Sequence, residues 1–163
     1  MSGGVHLSLD REASKRLFVC SDEELRSFVD EFSANEDNRQ EGLVLVADDV
    51  WMTLHRCLTD GTLDPTAGEF PLNHCFLGGR QLSRASGFSV TLVRPDMTRH
   101  VADAISQLAD DDLRARYDQH FGQTAGANDL EDAIPALRKL GEFFNTASSL
   151  HHAVVFAAEI QPG

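Results

Sequence analysis

The stretch Ala153-Val154-Val155-Phe156-Ala157-Ala158 is apolar on both faces of an extended chain. A strand that is apolar on both faces is typical of the interior of a sheet, so these residues predict an interior strand. Earlier in the chain, Phe88–Val93 alternates Phe88, Val90 and Leu92 with Ser89, Thr91 and Val93. This alternation is the period of a half-buried strand. Both stretches therefore indicate strands of a sheet.

Amphipathic helices are predicted for much of the remaining chain. Ser21 and Glu24 have the spacing of a capping box at the start of the first of them. Apolar residues then recur at helical spacing within residues 25–32, 50–58, 97–108, 113–121 and 134–147. The combination predicts an α+β fold, in which one domain packs a small mixed or antiparallel sheet against several amphipathic helices.

Shorter segments are assigned from composition. Residues 16–20 and 73–77 are predicted to be short strands, and residues 43–47 are compatible with a strand or with the lead-in to a helix. The polar residues 33–41 are predicted to form a surface loop, and residues 122–127 a flexible linker.

Two parts of the chain are distinguished. Residues 1–14 are predicted to be an N-terminal extension that either frays or contributes an edge strand. Residues 15–160 are predicted to be the single domain, which agrees with a length of 163 residues.

Charge and composition exclude several function classes. The formal charge of −12 argues against nucleic acid or an anionic membrane as partner. The chain has no apolar run near 18 residues and no secretory signal at its start. Cys20, Cys57 and Cys75 are few and widely spaced, which indicates a cytoplasmic protein without a disulfide framework. Nothing in the sequence indicates an oligomeric state.

Trp51 and His55 are the first candidates for a ligand site. They are four residues apart, so they share one face of a predicted helix. An indole beside an imidazole suits a pocket. A core tryptophan beside a histidine bonded to a backbone carbonyl also explains the pair, and this structural interpretation is favoured.

Other motifs have simpler explanations. The adjacent pairs His74-Cys75 and His151-His152 cannot easily chelate one ion, so no metal site is predicted. No cofactor and no catalytic residue are predicted either. Asp48 and Asp49 are explained as helix caps. Gly78-Gly79 is compatible with a close approach of the backbone to a ligand, but a turn is the simpler interpretation.

The order of several motifs resembles the YfbM-like family, small bacterial proteins assigned to a domain of unknown function. The motifs are residues 16–25 (RLFVCSDEEL), 48–61 (DDVWMTLHRCLTDG), 71–79 (PLNHCFLGG), 95–101 (PDMTRHV) and 111–118 (DDLRARYD), followed by the last helix and strand. The resemblance spans about residues 16–159, and it implies a single α+β domain. Two departures are the N-terminal addition and Arg94, which stands where the family has a capping Ser or Thr.

The resemblance implies no reaction or cofactor. Trp51, His55, Gly78 and Gly79 match its motifs and are the candidates for lining a pocket. Because the chain is acidic and lacks a catalytic constellation, the leading hypothesis is a non-catalytic binding module, for instance an acidic inhibitor of a basic protein. The alternative is a small-ligand-binding protein or an enzyme with a pocket near Trp51 and His55.

Overall fold

Five strands and seven α-helices make up the residues that the computed structural model describes, which are 3–83, 87–121 and 127–160. In chain order they are β1 (Gly4–Leu9), α1 (Arg11–Phe18), α2 (Asp22–Ala34), α3 (Glu36–Gln40), β2 (Val44–Asp48), α4 (Val50–Leu58), β3 (Arg80–Gln81), β4 (Phe88–Val93), α5 (Pro95–Gln107), α6 (Asp110–Phe121), α7 (Ala127–Ser149) and β5 (Ala153–Glu159). A short 3₁₀ helix at Leu72–Cys75 precedes β3.

The strands form one sheet in the order β2-β1-β5-β4-β3, and every neighbouring pair is antiparallel. Strand β5 lies at the centre between β1 and β4, which confirms the interior strand predicted from Ala153–Ala158. Strand β4 is also present, but it is buried along its whole length and not half-buried as its alternation predicts. The reason is that helices cover both faces of the sheet.

Alternate residues of the central strands face two different helical layers. Leu7 and Val155 belong to the apolar core that includes residues of α1 and α2. Phe156, on the opposite face, belongs to the core built with α4, α5, α6 and α7. The sheet is therefore the middle layer of three, and the prediction of a single α+β domain is confirmed.

The prediction for residues 1–14 is wrong. Gly4–Leu9 pairs with β2 on one side and with β5 on the other, so it is an interior strand, neither a tail nor an edge. The prediction failed because His6 and Ser8 are polar, yet both are buried with partners: His6 contacts the carbonyl of Cys75, and Ser8 contacts His152. The boundary at residue 15 also falls inside α1, which begins at Arg11 after the capping side chain of Asp10.

Two predicted strands are helical. Residues 16–20 hold the end of α1 and the turn that follows it, and residues 73–77 fall largely in the 3₁₀ helix. An apolar run of five residues does not distinguish a strand from a helix. In both segments the tertiary contacts determine which of the two forms. The predicted loop at 33–41 contains the end of α2 and the short helix α3, whereas residues 43–47 do form a strand, β2.

Helix starts were predicted most reliably. The capping box at Ser21 is present: the Ser21 hydroxyl accepts from the Glu24 amide at 3.3 Å, and the Glu24 carboxylate accepts from the Ser21 amide at 3.2 Å. Asp49 precedes α4 but makes no capping hydrogen bond through its side chain, so capping does not account for it. The predicted linker at 122–127 lies outside the described residues except for Ala127, where α7 begins. None of the described helices is long and apolar enough to cross a membrane.

Candidate functional site

Trp51 lies in the core of the helical layer. Only 1% of its surface is exposed, and its ring centroid lies 5.2 Å from that of Phe156 and 6.4 Å from that of Phe76. Its indole Nε1 has no hydrogen-bond partner among the described residues. These contacts are those of a packing residue.

His55 lies one turn further along α4 and is also 1% exposed. Its Nε2 lies 3.3 Å from the carbonyl oxygen of Asp64, and its own carbonyl accepts a hydrogen bond from the hydroxyl of Thr59. Burial lowers the pKa of His55, while the bond to Asp64 and the nearby Asp60 carboxylate act in the opposite direction. This is the arrangement expected of a histidine that ties a loop to its helix.

Gly78 and Gly79 are needed for close packing of the backbone. A Cβ atom at Gly78 would lie 2.2 Å from the carbonyl oxygen of Asn73, which already accepts from the Gly78 amide at 2.9 Å. A Cβ atom at Gly79 would lie 2.8 Å from the carbonyl oxygen of Leu92. Both glycines thus let one piece of backbone approach another piece of this chain.

Gly78→Ala is expected to lower the free energy of unfolding by about 2 kcal/mol, because a backbone carbonyl cannot give way without shifting the 3₁₀ helix. Gly42→Ala is the matched control. Its surroundings are open and only its φ of 75° is strained, so about 1 kcal/mol is expected. Urea unfolding followed by circular dichroism measures both. A Gly78→Ala loss no larger than the control would contradict the steric explanation.

A cleft of about 700 Å³ opens elsewhere, between the edge strand β2, helix α4 and helix α7. None of the four residues discussed above is among the described residues that line it. The helix α4 presents Met52, Thr53 and Arg56 to the cleft, whereas Trp51 and His55 are turned into the core. We call this cavity the acidic cleft, for the charges at its mouth.

Four carboxylates and two cations stand at the mouth of the acidic cleft. Asp48 is the last residue of β2 and Asp49 follows it, whereas Asp129 and Asp132 lie in the first turns of α7; all four are exposed. The cations are Arg56 and Lys139. Within residues 3–83, 87–121 and 127–160, no ion pair involves any of these six side chains. The mouth therefore has an excess of unpaired negative charge.

His6 lies at the floor of the acidic cleft with Leu54, Phe76 and Leu140, all buried. Its Nε2 lies 2.7 Å from the carbonyl oxygen of Cys75. A carbonyl only accepts hydrogen bonds, so Nε2 carries the proton and Nδ1 is the unprotonated acceptor. Nδ1 has no hydrogen-bond partner in the described part of the chain.

The surroundings of His6 are aromatic. Its ring centroid lies 4.7 Å from that of Phe156 and 5.3 Å from that of Phe76, and Phe143 and Phe144 lie at 6.1 and 6.0 Å. Burial lowers the pKa of His6 to about 4, although the hydrogen bond to Cys75 opposes the shift. The imidazole is therefore neutral at neutral pH, and Nδ1 stays an acceptor.

His6 and Cys75 are uncharged groups at neutral pH. A histidine whose pKa is about 4 is a weak base at neutral pH. Burial raises the pKa of Cys75, which contacts His6 through its carbonyl, so that thiol is not a thiolate. Among the described residues, no three His, Cys, Asp or Glu side chains are arranged to hold one metal ion.

His6, Asp129, Asp132 and Lys139 line the acidic cleft but are not among the candidates predicted from the sequence. His6 falls in the predicted extension or edge strand, where a polar side chain that alternates with Val5 and Leu7 indicates exposure to solvent. The other three lie on the polar side of a predicted helix, where charged residues are ordinarily solvated and carry no signal. Asp129, Asp132 and Lys139 are far from Asp48 in the sequence, so nothing in the sequence indicates that they line the same cavity.

Comparisons with known proteins agree with the fold. The model of a family described as a domain of unknown function (DUF1877) matches residues 1–157. The crystal structure of YfbM from Escherichia coli, described as a protein of unknown function, matches with a TM-score of 0.67 and 17% sequence identity. The match covers 95% of this chain and 98% of that one, and at this identity it shows the fold alone. No curated protein matches the chain.

Proposed function

The chain belongs to the DUF1877 family, and from this premise we propose that it is a non-catalytic binding protein whose site is the acidic cleft and whose ligand carries a positive charge. The observation that carries the proposal is the set of unpaired carboxylates around a concave cavity with a buried floor. The family model itself brings no reaction or cofactor.

Electrostatics support a cationic ligand. The lining of the cleft holds four carboxylates, Asp48, Asp49, Asp129 and Asp132, and two cations, Arg56 and Lys139, so negative charges outnumber positive ones. A cleft with low-dielectric walls strengthens the potential of such charges over that of a flat surface. The cavity volume of about 700 Å³ is within the range of sites for small molecules.

The recognised group is an ammonium. A free amine and a lysine side chain of a basic partner protein both supply it, and the second source corresponds to the inhibitor hypothesis drawn from the composition. A cytoplasmic location is part of this proposal and is supported by Cys20, Cys57 and Cys75, all of which are free thiols.

Neutralising two carboxylates is expected to weaken binding. The free-amine probe is 4-methylphenethylamine, which carries one ammonium group. The double variant Asp129→Asn, Asp132→Asn should bind this probe about 10-fold more weakly than the unaltered protein, because two nearby negative charges are lost. Isothermal titration calorimetry in 20 mM and 200 mM salt, roughly 20 and 7 Å of screening length, measures the affinity and its salt dependence. A lysine-rich peptide, titrated in parallel, shows whether a protein side chain is the better source.

The matched control is Glu131→Gln, Glu142→Gln. Both residues are exposed on the same helix, α7, and neither lines the acidic cleft. This control removes the same charge and should leave the affinity within twofold. The proposal is overturned if neither cationic probe binds, or if the control weakens binding as much as the cleft variant does.

A further inference from the structure

We propose that the ligand of the acidic cleft carries, at the end opposite its ammonium group, a neutral O–H or N–H group that donates a hydrogen bond to Nδ1 of His6. This inference rests on the proposed function and specifies the ligand: an amine with an apolar, preferably aromatic, body and a hydroxyl or amide donor at its far end. The aromatic amines with a phenolic hydroxyl are the simplest members of this class.

The hydrogen-bond geometry of His6 fixes the kind of group it can receive. Its Nε2–H is committed to the carbonyl oxygen of Cys75 at 2.7 Å. The remaining nitrogen, Nδ1, is a buried acceptor without a partner among the described residues, and His6 lines the cleft. A donor of the ligand can form a hydrogen bond with this buried acceptor, and a second acceptor cannot. A carbonyl, ether or carboxylate of the ligand therefore does not fit at this position.

The depth of the cleft separates the two polar ends of the ligand. The floor around His6 is formed by buried Leu54, Phe76 and Leu140, whereas the carboxylates are exposed at the mouth. An ammonium group at the floor would be desolvated without a carboxylate to compensate it. The charged end therefore lies at the mouth and a neutral donor lies at the floor.

The segment between these ends must be apolar. The lining also includes the apolar residues Leu45, Val50, Met52, Pro135 and Ala136. Such a lining favours hydrocarbon or an aromatic ring over a chain of further polar groups. A hydroxylated aromatic amine has a group for each part of the cleft: an ammonium for the carboxylates at the mouth, a ring for the apolar lining, and a hydroxyl donor for His6.

Two amines of equal size and charge test the inference. Tyramine carries a phenolic hydroxyl where 4-methylphenethylamine carries a methyl group, so the pair differs only in the donor. Calorimetric titration of the unaltered protein should show tyramine binding about 10-fold more tightly, since the methyl group leaves the buried acceptor unsatisfied. This comparison needs no variant and is independent of any effect on folding.

Variants at His6 show where the donor acts. His6→Phe keeps an aromatic side chain but removes the acceptor, and the two amines should then bind within twofold of each other. His6→Gln keeps both an N–H for Cys75 and a carbonyl acceptor, and it should retain part of the preference. Circular dichroism and the affinity for 4-methylphenethylamine report whether the fold and the cleft are intact in each variant.

The outcomes separate this inference from the proposed function. If both amines bind the unaltered protein equally, or if His6→Phe folds and keeps the full preference for tyramine, the donor at His6 is overturned while a cationic ligand stands. If neither amine binds but the lysine-rich peptide does, this inference is overturned while the proposed function stands. If neither amine nor the peptide binds, the proposed function fails together with the inference that rests on it.

Discussion

Trp51→Ala is expected to lower the free energy of unfolding by about 3–5 kcal/mol, a large part of the stability of a domain of this size. The side chain is 1% exposed and lies against Phe76 and Phe156 between helix α4 and the central strand β5. Truncation to alanine therefore removes buried contacts and leaves a cavity that helix and sheet cannot both close. Urea unfolding followed by circular dichroism measures the effect, and it should be accompanied by an unchanged unfolding slope.

Trp51→Phe is the matched control. A phenyl ring keeps most of the contact with Phe76 and Phe156, and it removes the indole Nε1, which has no partner among the described residues. A loss of about 1 kcal/mol or less is expected for this variant. A loss below about 1 kcal/mol for Trp51→Ala would show that Trp51 is not a core residue and would return it to the candidates for a ligand site.

Acidification is expected to destabilise the protein through His6. In the folded chain burial lowers the pKa of His6 to about 4, whereas the unfolded chain has the ordinary value of 6.5. Between these values the unfolded state binds a proton that the folded state does not, so stability falls as the pH falls from 6.5 to 4. The contribution amounts to about 3 kcal/mol and is fully present above a pH of about 6.5.

The His6→Gln variant isolates this contribution. Burial also lowers the pKa of His55, His74 and His152, so part of the acid sensitivity of the protein has other sources. The difference in unfolding free energy between the unaltered protein and His6→Gln should shrink by about 3 kcal/mol from about pH 7 to about pH 4. A difference that stays constant over this range would mean that the pKa of His6 is the same in the folded and unfolded chains.

The acidic cleft combines residues that are far apart in the sequence. His6 comes from β1, Asp48 and Asp49 from the end of β2, and Asp129 and Asp132 from α7. No spacing rule links these positions, because each carboxylate on its own is compatible with an ordinary solvated surface. Only their shared cavity turns them into a candidate site.

The family motifs make structural contacts. Trp51 packs in the core, and Gly78 and Gly79 allow close approach of the backbone. His55 lies against the carbonyl oxygen of Asp64, in the loop that follows α4. Contacts of this kind hold the fold together, and none of these four residues is among the described residues that line the acidic cleft.

Short-range physics explains what the sequence by itself determined. Two features depend on contacts between residues three or four positions apart: the capping box at Ser21 and Glu24, and the amphipathic stripes. Both can therefore be predicted from the spacing of residues in the sequence. The interior strand Ala153–Ala158 was readable because both of its faces are apolar. These features were sufficient for the α+β class and the single domain.

Long-range pairing decided the rest. Strand β1 became interior because Gly4 pairs with Ala158 and with Asp48, partners that lie far from it along the chain. That pairing buries His6 among aromatic rings, gives it the carbonyl of Cys75, and makes it a lining residue of the acidic cleft with Nδ1 unpartnered in the described part of the chain. From the sequence, a polar residue is ordinarily predicted to be exposed to solvent. Only the tertiary structure shows the hydrogen-bond partner that makes its burial favourable.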